Sequence, residues 1–89
     1  MDTWETMYEA LVKIENMPGD IFDEDDQIRT IASKALKRGK AFSDESKPEK
    51  ALLALHRGLL IIAIHPVGIS DVAQNMVAVA NAALKNAEN

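Results

Sequence analysis

Residues 51–64 form a run in which eleven of fourteen residues are apolar, set between Pro48 and Pro66. No other feature constrains the fold as strongly. A bilayer span needs roughly 20 apolar residues, and His56 and Arg57 interrupt this run. A buried strand over residues 59–64, bounded by Gly58 and Pro66, is one reading. The length of the run from Ala51 onward favours a helix. At 100° per residue, Glu49, Lys50, His56 and Arg57 share one arc, and Leu53, Leu60 and Ile64 fall inside it. The opposite side is wholly apolar. A helix with so little polar surface is expected to be central and buried.

Three further segments carry helical spacing. In the first, about residues 2–17, Trp4, Met7, Tyr8, Leu11, Val12 and Ile14 share a face. Asp2 or Thr3 is placed to cap it, Glu9 and Lys13 have the favourable i,i+4 order, and Pro18 stops it. In the second, about residues 23–38, Ile28, Ile31, Ala32, Ala35 and Leu36 repeat at 3–4 spacing. Its acids, Asp23, Glu24, Asp25 and Asp26, crowd the first turn. Lys34, Lys37 and Arg38 crowd the last, and Gly39 suits the C′ position. Phe42, in the connection that follows, is expected to fold back onto the core. The run described above supplies the third helix, about residues 48–65, with Pro48 in its first turn and Ser46 as its cap. In the fourth, about residues 70–88, Val72, Ala73, Met76, Val77, Ala80, Ala83, Leu84 and Ala87 make a stripe capped by Ser70.

The chain has 89 residues, enough for one small domain. Its four aromatic residues are Trp4, Tyr8, Phe22 and Phe42, so the core must be aliphatic. Four amphipathic helices with short connections predict an all-α, antiparallel up-down four-helix bundle covering residues 1–89.

Charge is distributed unevenly. The net charge is −4, which argues against general nucleic-acid binding. Residues 2–26 hold nine acids and one base, whereas residues 29–40 hold five bases and no acid. The absence of cysteine excludes disulfides, thiolate zinc sites and cysteine nucleophiles. The acidic run at 23–26 lacks the spacing of a calcium loop. His56 and His65 lie on opposite helical faces and cannot share a metal. No catalytic constellation, cofactor site or metal site is expected, and the chain reads as a non-enzyme. The acidic N-terminus without an apolar segment predicts a cytoplasmic protein.

Two surfaces are candidates for partner binding. One is the mixed arc of the third helix, Leu53, His56, Arg57, Leu60 and Ile64, suited to a protein partner or a second copy of the chain. The other is the basic end of the second helix, Lys34, Lys37, Arg38 and Lys40, suited to an anionic surface through at most peripheral membrane contact.

Among small helical look-alikes, an acyl carrier protein is excluded by the order Ser70-Asp71-Val72, which reverses the required D-S-L. A helical chorismate mutase needs several inward bases where the first helix offers Lys13. A helix-turn-helix reader needs a basic recognition helix.

A resemblance emerges from three stretches. They are Ile31-Ala32-Ser33-Lys34-Ala35-Leu36-Lys37-Arg38-Gly39, then Lys47-Pro48-Glu49-Lys50-Ala51-Leu52-Leu53-Ala54-Leu55, and then Gly68-Ile69-Ser70 after the apolar run. Together they resemble the bacteriocin immunity proteins of the pediocin and enterocin A type. The features in common are a helix ending in a basic turn and Gly, a Pro-started third helix and an apolar run ahead of the fourth. The resemblance implies a bacterial, cytosolic four-helix bundle without catalytic residues. Such a protein would protect a toxin producer by engaging the permease that the toxin attacks, or the permease–bacteriocin complex. A homodimeric interaction module working through the third helix is the alternative expectation.

Overall fold

The computed structural model describes residues 3–18 and 22–87. Four helices form: α1, Thr3–Glu15; α2, Asp23–Asp44; α3, Pro48–Ala63; and α4, Asp71–Ala87. Each contacts the other three, as in a four-helix bundle. Hydrogen bonds tie their ends together. Arg29 Nη2 on α2 donates to the Met17 carbonyl beyond the end of α1, at 2.8 Å. Glu24 near the start of α2 accepts from Gly68 and Ser70 just before α4. These bonds bring the end of α1 and the start of α4 to the N-terminal part of α2. The 22 residues of α2 span about 33 Å at 1.5 Å each, most of the 40 Å long axis.

The core is aliphatic, as the scarcity of aromatics requires. Met7, Leu11 and Ile14 of α1 meet Ile28, Ala32 and Leu36 of α2. Leu55, Leu59 and Ile62 of α3 and Ala73, Met76 and Ala80 of α4 complete it. Burying one large aliphatic side chain stabilises by about 1.5–3 kcal/mol, so this layer supplies the driving force for folding. Trp4 and Tyr8 stay at the margin, partly buried and stacked on each other with ring centroids 5.7 Å apart.

The contact between α2 and α3 is the most extensive in the bundle. It depends on small residues. A Cβ added at Gly58 would lie 2.4 Å from the Ala35 Cβ, and one at Gly39 would lie 2.7 Å from Leu55 Cδ2. The two backbones thus approach as closely as an alanine and a glycine allow.

Gly39 therefore corrects the expected end of the second helix. It is not a C′ residue but a buried interior position, and α2 continues to Asp44. Packing against Leu55 outweighs the low helix propensity of glycine, a cost of about 1 kcal/mol. Lys34, Lys37 and Arg38 consequently sit within the helix rather than in its last turn, which carries no base. Phe42 lies on that last turn, half-buried, instead of folding back onto the core from a loop.

The turn after α2 is also different. Ser46 does not cap α3, whose N-cap is Lys47 with no side-chain hydrogen bond. Ser46 has φ 62° and terminates α2. Its N–H donates to the Ser43 carbonyl at 3.0 Å, and the Lys47 N–H donates to the Phe42 carbonyl at 2.9 Å. This pair of bonds is a Schellman motif with serine where glycine is usual. Pro48 occupies the first turn of α3, as expected.

Other expectations shift by smaller amounts. α1 ends at Glu15, two residues early, and Thr3 is itself helical, while the proposed Asp2 cap lies outside the described residues. The Glu9–Lys13 pair is not made. The ion pairs among the described residues are Arg29–Asp26 at 2.9 Å and Lys47–Glu45 at 3.6 Å. Exposed pairs gain little in water, so nothing holds Glu9 and Lys13 together. Residues 59–63 are helical, not a strand.

Two substitutions test these points. Gly58→Ala should cost about 1–3 kcal/mol by overpacking against Ala35, whereas Gly39→Ala should cost less, because its methyl meets the end of the Leu55 side chain and alanine favours helix. Urea denaturation of both variants separates them. Ser46→Gly should raise stability by about 1 kcal/mol by relieving the left-handed backbone. Ser46→Ala should change it by less than about 0.5 kcal/mol. A clear loss from the alanine variant would restore Ser46 as a cap.

Candidate recognition surface

The surface is built on α3 and on the segment that follows it. Ala51, Leu55, Gly58, Leu59 and Ile62 face the core. On the opposite side, Leu53 is 47% exposed, Leu60 42%, Ile61 50% and Ile64 80%. Arg57 is exposed among them. The row runs for about 17 Å along the helix axis. α3 is thus not buried all round, which corrects the expectation drawn from its composition. It has two apolar sides, and the bundle covers one.

The segment 64–70 carries a further exposed aliphatic residue. Ile69 is 80% exposed, and what holds it there is a set of long-range hydrogen bonds. Glu24 accepts from the Gly68 N–H at 2.9 Å and from the Ser70 N–H at 3.2 Å. The Ser70 hydroxyl donates to Asp25 Oδ1 at 2.5 Å and accepts from the Ala73 N–H at 3.1 Å. The Gly68 carbonyl accepts from Gln74 Nε2 at 3.1 Å. Ser70 therefore caps α4, as its sequence position predicts. Asp25 and Ser70 are almost fully buried, at 1% and 2% exposure. Of the four acids that open α2, two have become a latch for the α3–α4 connection instead of merely complementing the helix dipole.

The other candidate residues separate. His56 is half-buried and turns away from Arg57. With Leu53 it lines a cleft of ≈ 330 Å³ whose other walls are Thr3, Met7, Glu49, Leu52 and Ala87. His65 lies just beyond α3, with Nδ1 2.8 Å from the Pro66 carbonyl oxygen. Lys34, Lys37, Arg38 and Lys40 are all exposed on the outer side of α2, and none makes an ion pair with a described residue. A second, polar groove of ≈ 320 Å³ is lined by Glu15, Asp26, Arg29, Thr30 and Ser33. Its Arg29 is already held by Asp26 and the Met17 carbonyl. Among the described residues no three His, Asp or Glu side chains are placed to hold a metal ion.

Ile61 of the row and the exposed Ile69 were not among the sequence candidates. Ile61 lies only about 20° beyond Lys50 on a helical wheel, so a wider arc would have included it. Ile69 lies in a connection, where no periodicity reports exposure.

Compared with family models, with curated proteins and with solved structures, the chain shows no significant match. No described helix is long and apolar enough to cross a membrane.

The latch yields a prediction. Asp25→Ala and Ser70→Ala should each cost about 2 kcal/mol, since each leaves a buried polar partner unsatisfied. The double variant should cost clearly less than the sum. Additive losses in chemical denaturation would show that the two groups are not coupled.

Proposed function

We propose that this chain is a non-catalytic recognition protein, and specifically a bacteriocin immunity protein. It acts from the cytosolic side of the producer membrane by engaging the permease that the toxin attacks. The observation that carries the recognition reading is the outer row of α3. Leu53, Leu60, Ile61 and Ile64 remain 42–80% exposed although the core beneath them is complete. Contiguous exposed aliphatics on a small protein mark an interaction site.

The immunity assignment is supported by the sequence resemblance over residues 31–39, 47–55 and 68–70 and by the four-helix architecture. One part of that resemblance does not survive as a helix end, because α2 continues through Gly39. The Pro-started third helix and the apolar run before α4 remain.

Expression in a bacteriocin-sensitive strain should confer resistance to at least one class II bacteriocin, and Leu60→Asp should abolish it without unfolding the bundle. Unchanged killing across a panel of such toxins would contradict the assignment. The same row also favours a second reading, a homodimeric interaction module paired through α3. Light scattering should then report a dimer that Leu60→Asp dissociates, and a strict monomer would reject that reading.

A further inference from the structure

We propose that the outer row of α3 and the basic side of α2 together form a docking surface for an anionic lipid bilayer. The inference rests on reading the α3 outer face as the working surface, and it names what that face meets besides a protein partner. Three observations carry it.

The first is registration. Gly58 faces Ala35 and Leu55 faces Gly39 across the α2–α3 seam. These contacts set Arg57 of α3 at the same level along the bundle as Lys34 and Arg38 of α2. On a helical wheel Lys34 and Arg38 flank the side of α2 that meets α3, so these two bases and the exposed aliphatics of α3 share one stretch of surface, while Lys37 and Lys40 lie farther round α2.

The second is charge. Residues 27–43 and 50–70 contain no acid. Lys34, Lys37, Arg38, Lys40, Lys50 and Arg57 are exposed there. None makes an ion pair with a described residue. Carboxylates lie at the two ends of this band: Asp44, Glu45 and Glu49 around the α2–α3 turn, and Asp23 and Asp71 near the starts of α2 and α4. In a chain of net charge −4, a band of one sign orients the molecule on an anionic plane instead of merely attracting it.

The third is the kind of side chain. The row is Leu and Ile interrupted by Arg57. It has no aromatic residue, the usual anchor of a protein–protein hot spot. Apart from Leu53, which borders the His56 cleft, its members stand on a helix ridge. Aliphatics that project between long basic side chains suit a headgroup layer. The apolar tips enter the acyl boundary, and the Lys and Arg heads reach lipid phosphates along their own stems. Contact is peripheral, since no described helix can span a bilayer.

Vesicle co-sedimentation with the full chain tests this. Phosphatidylcholine vesicles containing phosphatidylglycerol should bind the protein at least about tenfold more tightly than phosphatidylcholine alone, with binding falling as salt rises. The double variant Lys34→Glu/Arg38→Glu and the single variant Ile64→Asp should each weaken binding about tenfold or more. All three positions are exposed, and a circular dichroism melt verifies that the variants stay folded. Equal binding to both vesicle types would overturn the inference. So would binding that neither variant alters, or a row occluded by a second copy of the chain in solution. Because the vesicles hold no protein, failure here with bacteriocin resistance intact removes the lipid contact and leaves the functional reading standing. Vesicle binding without resistance does the reverse.

Discussion

The close approach of α2 and α3 at Gly58 and Ala35 determines how the rest of the bundle is arranged. With no side chain at 58 and a methyl group at 35, the two helices meet almost backbone to backbone. That contact fixes which side of α3 turns inward. Leu55, Leu59 and Ile62 follow it into the core, and Leu53, Leu60, Ile61 and Ile64 are carried to the outside. A helix with two apolar sides has no intrinsic preference between them from hydrophobicity alone. Steric fit decides, because interiors pack at near-crystalline density and a displaced helix leaves voids.

The second constraint is polar and acts just beyond the C-terminal end of α3. Glu24 and Asp25 tie the start of α2 to residues 68–70. The short connection between α3 and α4 is held besides by Val67, which packs against the core. Through these bonds, the acidic cluster that dominates the N-terminal charge becomes part of the scaffold. Among the bases of α2, Arg29 has a comparable internal role through Asp26 and the Met17 carbonyl, whereas Lys34, Lys37, Arg38 and Lys40 are exposed. The uneven charge of the sequence thus separates into a structural acidic part and four solvent-facing bases.

Much of the fold was legible in the sequence because it depends on local periodicity. The four helices, the aliphatic core, the Pro48 start and the Ser70 cap all follow from spacing and caps. The departures have a common cause, which is that they depend on residues distant in the chain. Gly39 reads as a stop until Leu55 is seen to pack on it. Ser46 reads as a cap for the next helix, whereas its backbone bonds close the previous one. Asp25 reads as a dipole complement until Ser70, 45 residues away, is found against it. The candidate surface was legible in part. Leu53, Arg57, Leu60 and Ile64 follow from the helical wheel. His56 shares their arc, yet it faces the cleft beside α1 because a neighbouring helix lies there.

α3 has an inner and an outer apolar side with distinct roles. Ile61 and Ile62 are adjacent and chemically identical, but one is 50% exposed and the other 0%. The most direct measurement is urea denaturation of Ile61→Asp beside Ile62→Asp. Ile61→Asp should cost about 1–2 kcal/mol, from its half-buried side and from an acid in the last turn of α3, and Ile62→Asp several kcal/mol more, or no folded protein. Comparable losses at both positions would mean that the outer row is part of the core and that α3 presents no free face.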